Sequence, residues 1–134
     1  MATETTGRIN DHVAAEDIAL QGVLEALVDP VRRSIVRQLA DAERDIACGT
    51  FDINVTRSTS AHHFKVLRRA GIIWQHYVGT VKLNSLRRAD LDRAYPGLLD
   101  AVIDAARREA AAEPGRDASP AQGRRSPAVI RSSR

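Results

Sequence analysis

The chain has a single cysteine, Cys48, in 134 residues. One thiol excludes an intramolecular disulfide and a multi-cysteine zinc site, and it suits a reducing compartment. Aromatic residues are scarce, and Trp74, Tyr77 and Tyr95 read as core or interface residues rather than a ligand box. Apolar runs last only a few residues, far short of the roughly 18 to 20 needed to cross a bilayer. The amino end, "MATETTGRINDH", lacks the apolar segment of a signal peptide. A cytoplasmic protein without membrane contact is expected. No nucleophile motif or phosphate-binding loop is found, so no enzyme activity and no cofactor are expected. The most informative absence is acid. From Ile53 to Ala89 there is no Asp or Glu, while Arg57, Lys65, Arg68, Arg69, Lys82, Arg87 and Arg88 are all basic, in a chain whose net charge is only +3. A solvated charged face would mix signs. A block of one sign is the footprint of a surface that binds a polyanion, nucleic acid first among them.

What is present reads as one domain of modest core. Residues 1–12 are polar and without period and are expected to form a disordered arm. The apolar spacing from Val13 to Val28 predicts a first helix. Asp29 followed by Pro30 is a helix start, and Val31, Ile35, Val36 and Leu39 mark the buried stripe of a second helix over 30–41. The segment "AERDIACGTFDINV" has no clear period and predicts a short helix or turn. Thr56 caps a helix that runs to Ala70 and is closed by Gly71. On it Ser60, Phe64 and Leu67 share one stripe, while Arg57, Ser58, Ala61, His62, Lys65, Arg68 and Arg69 occupy the opposite side. "IIWQHYVGTVKLNSL" predicts a hairpin turning at Val78, Gly79 and Thr80. A last helix follows Pro96, with Leu98, Leu99, Val102, Ile103, Ala106 and Ala110 on one face. Residues 13–113 are thus the expected domain, and the Arg-rich stretch 114–134 an expected disordered tail. The order of elements is that of a winged helix-turn-helix, mainly α with a small β-hairpin wing.

At "LVDPVRRSIVRQLA" and "TRSTSAHHFKVLRRAGII" the sequence resembles the ArsR/SmtB-type transcriptional repressors. Asp29, Pro30, Arg32, Ile35, Leu39, Ser58, Thr59, His62, His63, Lys65, Val66, Leu67, Arg68, Ala70 and Gly71 match that pattern, over about residues 18–105. The resemblance implies a homodimer paired through its first and last helices, bound to a near-palindromic double-stranded DNA operator with helix 56–70 in the major groove. Apolar stripes left over on those two helices agree with pairing. Three departures stand out. Ser60 and Ala61 replace the family's more usual Val then Ser, which removes a hydroxyl from the reading face. The wing tip "YVGTVK" is less basic than usual, leaving Lys82 and His76 for backbone contact. The family's Cys-x-Cys metal pair is reduced to Cys48, and its last-helix His ligands are absent, so no metal site is expected.

The DNA-binding candidates are Arg57, Ser58, Thr59, Ala61, His62, Lys65, Arg68, Arg69 and Lys82. Arg57, Ser58, Thr59 and His62 are placed to reach base edges, and Lys65, Arg68 and Arg69 to hold phosphates. Most have a plainer alternative: Arg57 a phosphate contact, Ser58 and Thr59 capping, His62 solvation, and Lys65, Arg68 and Arg69 solvated charge. His63, near the apolar stripe, is expected to be a hydrogen-bonded packing residue against the second helix. Neighbouring helical residues point about 100° apart, so His62 and His63 do not form a ligand pair. Cys48 is either a half-buried filler or a candidate redox or electrophile sensor, and a metal- or redox-responsive member of the family using Cys48 is an alternative reading. A winged-helix module that binds an acidic protein surface would share the charge pattern. The inducing ligand is not legible.

Overall fold

The computed structural model describes residues 9–112. Five α-helices and three short strands follow in the order α1 (Leu20–Leu27), α2 (Pro30–Ala42), β1 (Ile46–Ala47), α3 (Arg57–Ala70), β2 (Ile73–Val78), β3 (Val81–Leu86), α4 (Arg88–Ala94) and α5 (Leu98–Ala112). The strands form one antiparallel sheet in the order β1-β3-β2. Pairs run from Ile73↔Leu86 to Val78↔Val81 in the hairpin, and Ile46 pairs with Asn84 at the other edge. This is a winged helix-turn-helix: α2 and α3 are its two helices, and β2-β3 its wing.

The capping predicted from sequence is present. Asp29 Oδ1 accepts hydrogen bonds from the Val31 and Arg32 amides at 2.8 and 3.1 Å, with Pro30 in the first turn where its missing N–H costs nothing. Burial alone would raise the Asp29 carboxyl. The Arg32 and Val31 amides, with His63 and Arg32, outweigh it and hold the group below the ordinary carboxylate range. Thr56 Oγ1 accepts from the Thr59 amide at 3.2 Å, and Gly71 closes α3 at φ 88°. A Cβ on Gly71 would meet Ile18 Cγ1 at 2.7 Å and Val13 Cγ1 at 2.8 Å, so only glycine suits both the backbone and the packing.

The core gathers Val23 and Leu27 from α1, Ile35 and Leu39 from α2, Leu67 from α3 and Ile103 from α5, all buried. Each such side chain contributes roughly 1.5–3 kcal/mol of burial. Packing of α2 against α5, α3 and β3 fixes the position of α3 on the surface.

Three expectations need correction. The single helix over 13–28 is a 3₁₀ turn at Ala15–Asp17 followed by α1, because Ala14, Ile18 and Ala19 are extended. That kink lets Ile18 and Val13 turn under Gly71. The segment 43–55 contributes β1 as well as a 3₁₀ turn, Cys48–Thr50. Within the expected arm, Asp11 and His12 are packed: Asp11 pairs with Arg68, and His12 Nε2 accepts from the Gln75 amide on the free edge of β2 at 2.9 Å. Residues 1–8 and 113–134, which hold the rest of the arm and the tail, lie outside the described residues.

Candidate nucleic-acid interface

Helix α3 buries His63, Phe64 and Leu67 and turns Arg57, Ser58, Thr59, Ala61, His62, Lys65 and Arg69 outward, all exposed. The 3.6-residue period explains the division. Two of these cations, Arg57 and Lys65, have no ion-pair or hydrogen-bond partner among the described residues. Arg69 is loosely engaged, its side chain 62% exposed with Nε 3.9 Å from Asp11. At the amino end, Thr56 Oγ1 donates to Thr59 Oγ1 at 2.9 Å and lies 3.4 Å from Ser58 Oγ, while the cap itself is Thr56, which accepts from the Thr59 amide. Ser58 and Thr59 both remain exposed.

Arg68 is the exception among the predicted residues. Its guanidinium bonds both Asp11 oxygens, at 2.6 and 2.9 Å, and Gln75 Oε1 at 2.6 Å, leaving its side chain 13% exposed. It is a tie between α3, the wing and residue 11, and not a free cation for phosphate. The hydrogen bond from Arg68 is also the main reason the Asp11 carboxyl sits below its ordinary range. Two other members of the basic block are likewise spent inside the molecule. Arg87 is buried at 2% exposure, chelated by Asp90, bonded to the Val13 carbonyl and stacked 3.7 Å from the Trp74 ring centroid. Arg88 pairs with Asp100 at 2.6 Å. The outward positive potential therefore rests on Arg57, Lys65 and Arg69 of α3, with Lys82 of the wing, which is half-buried with Nζ 5.6 Å from the Tyr77 ring centroid. His76, the other wing candidate, is drawn to Asp45, 3.6 Å away.

The double histidine separates as its helical phase requires. His62 is exposed, whereas His63 is buried with Nδ1 3.1 Å from Arg32 Nη1 on α2. Burial first, then the charge of Arg32 and of His62, lowers the His63 pKa, with Asp29 opposing. Cys48 is half-buried and its Sγ accepts from Asn84 Nδ2 at 3.2 Å and Gln75 Nε2 at 3.5 Å. Gln75 and Asn84, both buried, join each other at 2.8 Å. Sequence reasoning missed this network. The signal was available in the alternation of Ile73, Gln75 and Tyr77, which sets Gln75 on the inward face. Among the described residues no three His, Cys, Asp or Glu side chains converge on a site for a metal ion, and no helix is long and apolar enough to cross a membrane.

Comparison with known proteins agrees with the geometry. Residues 29–74, which include α2 and α3, match the profile of bacterial regulatory proteins of the arsR family. The chain is also similar to the uncharacterized HTH-type transcriptional regulator YceK of Bacillus subtilis (strain 168). It is 30% identical to YceK over 82 residues, covering 60% of this chain and 82% of the relative. With a winged helix-turn-helix whose second helix turns an acid-free face outward, the chain belongs to the arsR family and is a DNA-binding transcription regulator.

Proposed function

We propose that the protein is a repressor that binds a near-palindromic operator as a homodimer, with α3 in the major groove and the wing against the flanking backbone. The observation that carries this reading is the outward face of α3, on which Arg57 and Lys65 stand unpaired among the described residues, beside exposed Ser58, Ala61 and His62. Arg57 at the first turn and His62 one turn later suit base edges, with Ser58 and Thr59 close to them. Lys65, Arg69 and Lys82 suit phosphates. Ala61 offers only a methyl group, which favours contact with a thymine methyl over a hydrogen bond.

Dimerisation is supported by α1, where Leu20, Leu24 and Val28 recur every four residues and are 44%, 47% and 72% exposed. Such a stripe calls for a partner surface. The last helix adds less than its sequence suggested: Leu99, Ile103 and Ala106 are buried in the chain's own core, leaving alanines such as Ala101 and Ala105 outward. Repression needs no surface beyond these, since occupying the operator blocks other proteins from it. The domain over 13–113 carries both activities in this reading.

Selection of genomic fragments by the purified protein tests the proposal. Enriched fragments should share two half-sites in inverted order, spaced by about 10 to 10.5 base pairs or a multiple of it. Recovery of no common site, or of a site without twofold symmetry, contradicts it.

A further inference from the structure

Between α3, the loop 48–55 and the sheet lies a cleft of about 410 Å³, a size within the roughly 300–1,000 Å³ of small-ligand sites. Its walls differ by function. Phe51, Ile53, Val55 and Phe64 supply an apolar side, with the Phe51 and Phe64 rings 5.1 Å apart and tilted by 57°. Arg57 and Lys82 stand on its polar side, and no Asp or Glu lines it. Deeper in, Arg68 and Gln75 are already joined to each other, so Arg57 is the cation with no partner among the described residues. A larger cleft, about 560 Å³, is lined by both signs, including the Arg88 and Asp100 pair, and selects neither charge.

We propose that this cleft is an effector site for a small amphipathic organic anion, a carboxylate on an aryl or short alkyl body, and that its occupant competes with DNA. A phosphate backbone matches the cations but has nothing to cover the apolar wall. A neutral hydrocarbon matches the wall but leaves Arg57 and Lys82 without a counter-charge. An arylalkyl carboxylate matches both. Competition follows from shared residues, because Arg57, Ala61 and Lys82 line the cleft and also belong to the DNA-facing set. A carboxylate on Arg57 withdraws that residue from the groove, so ligand and operator exclude one another and each weakens the other by the same factor. The competitive half rests on the DNA-binding reading above. The binding half does not.

The probe is 3-phenylpropionate, titrated into the full chain at constant ionic strength with backbone amide resonances as readout. Saturable shifts confined to residues around the cleft are expected. The neutral analogue 3-phenylpropan-1-ol, and the Lys82→Gln variant with the acid, should each bind at least about tenfold more weakly. Val55→Trp, which fills the cleft, should abolish the shifts, and Ile53→Trp serves the same end if Val55→Trp fails to give a folded spectrum. Equal binding of the alcohol, equal shifts with acetate, or no saturable shift overturns the site. On the selected operator, acid at about nine times its own Kd should weaken DNA binding about tenfold. Binding in the cleft with unchanged DNA affinity overturns the competition. Absence of DNA binding without any ligand overturns the regulator reading, and the titration then still decides the cleft by itself.

Discussion

Arg32 Nη1 lies 3.1 Å from His63 Nδ1, and the same guanidinium donates to the carbonyls of Ala26 at 2.6 Å and Glu25 at 3.3 Å. One side chain of α2 thus ties the end of α1 to the buried side of α3. Because guanidinium only donates, His63 Nδ1 is the acceptor, and the neutral imidazole is the form that fits. Replacing Arg32 by Met should lower stability by about 2–3 kcal/mol, since hydrogen bonds to a charged group contribute about 1.5–3 kcal/mol. A lower urea midpoint with an unchanged slope is the expected result.

Acid should weaken the fold through His63 and His12. Burial, followed by Arg32 and His62 for His63 and by Arg68 and Arg87 for His12, lowers both pKa values, with Asp29 and Asp11 opposing. A group whose folded pKa is depressed stabilises the fold fully above its unfolded value, near 6.5. That contribution is lost as pH falls through the lower folded value. His12 gives the loss a structural form: protonated Nε2 no longer accepts from the Gln75 amide. Urea midpoints should be flat from pH 8 to 7 and fall toward pH 5. His12→Gln together with His63→Gln should flatten that fall.

Gly71→Ala should destabilise the protein by at least about 1–3 kcal/mol from overpacking alone, before the cost of φ 88° is added. Trimming a neighbour that the new methyl meets, as Val13→Ala, should recover part of the packing loss but none of the backbone cost. Thermal melts of the single and double variants measure both parts.

Leu24→Glu, in the middle of the exposed α1 stripe, should yield a folded monomer whose far-UV spectrum matches the parent. Sedimentation of the parent as a dimer and of the variant as a monomer is the expected pair of results. DNA affinity should fall with the dimer, because half the operator contacts are lost.

Much of this was legible in the sequence because it is encoded locally. Asp29-Pro30, Thr56 and Gly71 specify their helix ends through neighbours two to four residues away, and the structure has all three. The helical phase likewise separated His62 from His63. What was hidden depends on distant partners. Arg68 falls on the polar side of α3, and nothing within the helix reveals Asp11, 57 residues earlier, as its partner. Arg87 sits in the basic block yet is buried against Trp74, Val13 and Asp90. Two-residue β1 is too short to leave a period, and α2 ends on Glu43 at φ 55°, without a glycine to mark the stop. Charge counting therefore overstated the free cations of the block, although the sign of the outward face was correct.

The most direct test of the outward face of α3 is the salt dependence of operator affinity for the parent, Lys65→Ala and Arg68→Ala. If Lys65 holds a phosphate while Arg68 is committed to Asp11 and Gln75, Lys65→Ala should reduce the slope of log affinity against log salt by about 0.9 per subunit, about 1.8 for the dimer. Arg68→Ala should lower stability and leave that slope near the parent's. An unchanged slope for Lys65→Ala, or an equal loss for Arg68→Ala, would contradict the assignment of α3 as the DNA-facing helix in this orientation.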